Sequence, residues 1–142
     1  MTAFATILAA LQGDAQLAGI LTGGVYDGAE VGDISRQATP AAYDDYSELL
    51  PCAIVKPETQ APAGPHPDSS RLFVTIWFYQ QSGSADIDVA RIRAYHLLHR
   101  ATLAGSNGVW DVRHANDLLG IEMQALGVPA IMSRYVATVN RG

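Results

Sequence analysis

Lysine is almost missing from this chain. Lys56 is the only one in 142 residues; the other eight basic residues are arginines, and fourteen acidic residues leave a formal net charge of −5. Nonspecific affinity for nucleic acid rests on many Lys/Arg–phosphate contacts, so this balance argues against a DNA-coating role. The arginine bias has two readings: guanidinium groups suit desolvated protein interfaces, and GC-rich coding produces the same bias. Charge of either sign is scarce, at 16%, which fits a surface partly covered by neighbouring subunits. Cysteine is scarcer still. Cys52 alone excludes an intramolecular disulfide framework and fits a reducing compartment. No basic segment of a signal peptide opens the chain, and Gly13-Asp14 interrupts its first apolar stretch before membrane-spanning length. The expectation is a protein made in the cytoplasm, with no membrane partner.

What is present is a packed-core composition, 49% hydrophobic, at a length suited to one domain spanning 1–142. Phe4, Ile7, Leu8 and Leu11 fall on one helix face, with Thr2 placed to cap it. After Gly13-Asp14, residues Leu17, Ile20 and Leu21 continue as a second short helix, and Val25-Tyr26-Asp27-Gly28 reads as an extended piece ending in a turn. Residues 28–50 show no period and predict a long loop; 56–70, with Pro57, Pro62, Pro65 and Pro67, predict a second, solvated one. Between them, Pro51–Val55 suits a short buried strand.

Arg71–Tyr79 is the clearest strand. Leu72, Val74, Ile76 and Phe78 point one way, and Phe73, Thr75, Trp77 and Tyr79 the other, as in a central strand covered on one side by helices and on the other by a partner. Ser84 is placed to cap a helix over 85–103, with Asp86 and Asp88 near its start and His96, His99 and Arg100 near its end, matching the helix dipole. Its predicted core stripe is Ile87, Ala90, Ala94, Leu97, Leu98 and Ala101, and Gly105 stops it. The last third predicts strands at 109–113, about 118–124 and 131–139, with Gly127-Val128-Pro129 as a break. The resulting fold class is α+β: one domain with a mixed, antiparallel-rich sheet and an N-terminal helix and a long central helix packed on one face.

Candidate chemistry is thin. His96 and His99 share a helix face and His114 can approach them, but no carboxylate or cysteine stands at a metal-motif spacing. Cys52 lies in an apolar strand, the setting of an inert thiol. The glycines at 23, 24 and 28 lack the lysine and helix of a phosphate loop, and Ser82-Gly83-Ser84 is not a nucleophile elbow. Asp44/Asp45 read as solvated loop charges and Asp86/Asp88 as dipole partners. No catalytic, cofactor or metal residue is assigned. The aromatic strand face has two readings, a second core layer or a subunit interface. For the interface reading the candidates are Phe73, Trp77 and Tyr79, joined by Tyr43 and Tyr46 from the 28–50 segment and Arg134 from the last strand.

The order of these pieces resembles the bacteriophage tail-completion family, the tail terminators of long-tailed phages, prophages and gene-transfer particles. The pieces are the alanine- and leucine-rich helix with its Gly-Asp break, Val25-Tyr26-Asp27-Gly28, the strand from Pro51, and the strand–turn–helix over 71–104. The resemblance implies a non-enzymatic virion protein of the tail or neck, assembled in the host cytoplasm as a ring of about six subunits. Such a ring caps the major tail tube protein, ends tube growth, and meets the head–tail connector or stopper protein. Genomic DNA passes through its lumen without specific binding, which a net-negative ring favours. A connector or stopper ring shares this outline and is the first alternative; a small soluble binding module or a hydrolase is the second. The segments 28–50 and 56–70 are expected to be flexible contacts to neighbouring rings that order on binding.

Overall fold

In the computed structural model, residues 3–63, 66–81, 85–101, 103, 109–123 and 128–140 are described. Thr2, Ser84 and Gly105, expected as caps and a stop, lie outside them. The N-terminal apolar spacing forms α1 (Ala3–Gln12), which buries Ala3, Thr6, Ile7, Leu8 and Leu11 and leaves Phe4 partly buried. Asp14 then ends one helix and starts the next. Its carboxylate accepts from the Leu17 N–H at 3.0 Å, capping α2 (Ala15–Ile20). A three-residue strand, β1 (Val25–Asp27), leads directly into α3 (Gly28–Val31), capped by Asp27. Glycine is needed at position 28 because a Cβ there would lie 2.5 Å from Lys56 Cγ and 2.9 Å from the Val55 carbonyl.

Four long strands complete a five-stranded sheet: β2 (Cys52–Ala63), β3 (His66–Tyr79), β4 (Val109–Met123) and β5 (Val128–Asn140), in spatial order β1-β2-β3-β5-β4. Only β1–β2 is parallel; the other three pairings are antiparallel. α4 (Ala85–Leu98) crosses from β3 to β4 and packs with α1 and α2 on one face. The architecture is the α+β one expected, with β3 central.

Strand lengths differ from expectation in two places, and both have a physical cause. Within 56–70, residues 56–63 and 66–70 are not loop but the paired outer parts of β2 and β3. Pro57 and Pro62 fit because the ladder shifts register between Pro57 and Thr59 and again between Pro62 and Ala63, and a proline lacks only the donor that a shifted ladder leaves unused. Likewise the strands expected at 109–113 and 118–124 are one strand, carried past its polar middle by register shifts at His114/Asn116 and Leu118/Ile121. Pro129 does not break the run either. It sits at the start of β5, opposite Glu122, before that strand begins pairing with β3 at Ala130. The long helix is shorter than expected, ending at Leu98. Arg100 then takes a left-handed φ of 63°, and its N–H donates to the Val112 carbonyl, turning the chain into β4.

The main core lies between the helices and one sheet face: Ile7, Leu17, Val55, Val74, Ile76, Phe78, Ile87, Leu98 and Tyr135 are fully buried there. Residues 28–50 cover the other face. Ile34, Ala42 and Leu49 are buried against Cys52, Ile54, Tyr79, Val128 and Ala130 in a second, smaller cluster.

Candidate interaction surface

The sheet face away from the helices is read most directly along β3. Phe73, Thr75, Trp77 and Tyr79 oppose Val136, Arg134, Met132 and Ala130 on β5. The 28–50 segment closes the Tyr79 end of this row. The Phe73 end is more open, with Phe73, Arg134 and Val136 only partly buried. There the Arg134 guanidinium lies over the Phe73 ring, 4.8 Å from its centroid, and its Nε sits 3.0 Å from Glu58 Oε2 on β2.

The six candidates therefore separate. Tyr79, only 1% exposed, belongs to the second cluster and is withdrawn from the surface set; burial also pushes its phenol pKa up. Trp77 and Tyr43 are partly buried against the same cluster, with Trp77 Nε1 donating to Thr75 Oγ1 at 3.2 Å and Arg36 stacked over the Tyr43 ring. Phe73 and Arg134 form the pair on the open end. Tyr46 stands alone at a turn tip, 87% exposed.

That turn is built by Asp44. Its Oδ1 accepts from the Tyr46 and Glu48 N–H groups at 2.8 and 2.9 Å, and its backbone closes on Ser47 and Glu48. Asp44 is thus the organiser of the segment rather than a solvated charge. Farther back, Ser35 and the buried Thr39 exchange backbone and hydroxyl hydrogen bonds, and Gln81 Oε1 accepts from the Leu49 N–H at 2.9 Å. A hollow of about 420 Å3 beside the segment is lined by Ser35, Arg36, Tyr43, Ser47, Leu49, Gln81 and Val128. Among the described residues, this lining brings no carboxylate, imidazole or thiol to act as base or nucleophile.

On the helix side the charges are used to fasten elements together. Arg93 on α4 reaches Asp14 with two nitrogens, at 2.7 and 3.0 Å, and this pairing lowers the Asp14 pKa to about 2. Arg91 bridges Asp88, in its own helix, and Asp117 on β4, at 2.6 and 3.0 Å. His114 Nε2 donates to the other Asp117 oxygen at 2.9 Å. Burial alone would raise Asp117, but the hydrogen bonds from His114 and Arg91 outweigh it and hold the carboxyl below its ordinary range. His99 Nδ1 accepts from the His114 backbone N–H at 3.0 Å and the ring stacks on Tyr95, while His96 faces outward on α4. Among the described residues, no group of three or more His, Cys, Asp or Glu side chains is placed to hold a metal. Cys52 is fully buried and its thiol is pushed up to about 12, so it stays protonated.

Sequence reasoning missed a second surface. Between α2 and α4 runs a groove of about 390 Å3 lined by Gln16, Ile20, Val89, Ile92, Arg93 and His96. Its signal was present as Val89, Ile92 and His96 at i, i+3 and i+7, beside the core stripe and not on it. On the edge strand β4, Leu118 and Leu119 are also exposed.

A solved virion has a chain of the same fold. It belongs to the virion of a native gene transfer agent particle and matches at a TM-score of 0.72, covering 97% of this chain and 94% of that one, with 17% sequence identity. At that identity the likeness is one of fold. No family model and no curated protein sequence matches this chain. Among the described residues no helix is long and apolar enough to cross a membrane.

Proposed function

We propose that this chain is a structural protein of a phage-like particle: a ring subunit that caps the tail tube, ends its growth and joins tail to head. The observation that carries the reading is the fold shared, over nearly the whole of both chains, with a chain of a gene transfer agent virion. Three features of the surface support it. The hollow beside residues 28–50 offers, among the described residues, no convergent acid–base set, so an interaction role suits it better than catalysis. Apolar side chains stay exposed on two sides of the sheet, on α4 and at Tyr46, as a subunit with two different neighbours requires. The two long hairpins, β2–β3 and β4–β5, give reach toward neighbouring rings. In this reading the ring has about six subunits, its partners are the tail tube protein and a connector or stopper, and its net-negative charge keeps the lumen from gripping DNA. The test is to produce particles without this chain and image them. Overlong tubes and heads without tails are expected; tails of normal length joined to heads would contradict the capping role.

A further inference from the structure

Two features are left unused by the core, and they lie on opposite sides of the sheet. One is the α2–α4 groove, where Val89 and Ile92 keep 53% and 44% of their surface exposed beside Ile20, and where Arg93 and His96 supply the rim. Arg93 is paired with Asp14, yet 31% of its side chain remains accessible. The other is Tyr46, displayed on the turn that Asp44 fixes and that Arg36 Nη2 holds by the Ser47 carbonyl at 3.1 Å. Asp45 and Glu48, both exposed, flank it. An aromatic ring on a backbone already ordered loses little entropy when it docks, and tyrosine is among the residues that dominate interface energies.

We infer that Tyr46 of one copy seats in the α2–α4 groove of the next copy, with Asp45 and Glu48 meeting Arg93 and His96. The occupant is set by complementarity. The groove is apolar with a rim bearing Arg93 and His96, and the knob is aromatic with acidic flanks. The helices carry one feature and the segment covering the opposite sheet face carries the other, so each copy offers its knob to one neighbour and its groove to another. The contact therefore repeats head to tail, which is the geometry that closes a ring. The inference rests on the ring-subunit reading and adds the junction between subunits.

Tyr46→Ala and Ile92→Glu test it, both at exposed positions where folding is retained, as circular dichroism would check. Solution mass is read by light scattering for the unaltered chain, each variant, and an equal mixture of the two. The unaltered chain is expected to assemble, and each variant alone to be monomeric. The mixture should form pairs and nothing larger, since it restores one junction, between Tyr46 of the Ile92→Glu chain and the intact groove of the Tyr46→Ala chain. Assembly that survives either single substitution overturns this junction and leaves the ring reading standing. An unaltered chain that assembles neither alone nor on added tail tubes overturns both.

Discussion

The two faces of the sheet are covered by different physics. On one, three helices bury a continuous apolar layer whose members recur at helical and strand periods, from Ile7 and Leu11 to Ile87, Ala90 and Ala94. On the other, an aperiodic segment is held by three buried apolar side chains, Ile34, Ala42 and Leu49, and by side-chain-to-backbone hydrogen bonds at Ser35, Thr39 and Asp44. The first face is the source of global stability. The second is a small local unit laid on a finished sheet, and it carries the most exposed aromatic of the described residues, Tyr46. Periodic burial makes a fold, and hydrogen-bonded turns make a presentation surface.

The sharpest way to break this comparison is a matched pair of truncations. Ile87→Ala empties a site in the main core and should cost about 2–5 kcal/mol of global stability, measured by urea unfolding. Leu49→Ala should cost less than half as much, with hydrogen exchange accelerated mainly within residues 28–50. Equal losses, spread over the whole chain, would merge the two units into one. Asp44→Ala removes the acceptor for two backbone N–H groups and should destabilise the turn by about 1–2 kcal/mol. Exchange at Tyr46 and Glu48 should then quicken while α4 is unchanged.

Acid separates the faces in another way. Pairing with Arg93 holds Asp14 at about 2, below its ordinary value of 3.8, so its contribution is complete above that ordinary value and is lost as pH falls through about 2. Replacing Asp14 with Asn should flatten the acid limb of the stability curve in that window. An unchanged limb would show that the ion pair does not couple α2 to α4. The smallest effect expected is a gain. Arg100 occupies the left-handed region at the end of α4, and Arg100→Gly should raise stability by about 0.5–1 kcal/mol in thermal or urea unfolding.

The same contrast explains what the sequence made legible. The two faces of 71–79, the stripe Ile87-Ala90-Ala94-Leu98 and the central place of that strand follow from periods of two and near four, and all are present in the structure. The pairing of 56–63 with 66–75 was hidden because proline reads as a loop signal, whereas here Pro57 and Pro62 sit at register shifts. The continuous β4 was hidden by the polar pair Asn116 and Asp117, of which Asp117 is placed in part by Arg91, 26 positions earlier in the chain. Tyr79 looked like an interface aromatic because nothing local to it reveals that residues 28–50 fold over its ring. The α2–α4 groove needed two helices to be placed side by side before its residues met.

The claim that this chain is built to assemble through surfaces outside its core is tested most directly by its mass. Light scattering on the purified protein at several concentrations, with negative-stain images of the same samples, should give closed rings of about six subunits. A compact monomer at every concentration, with tail tubes added as well as without, would contradict it.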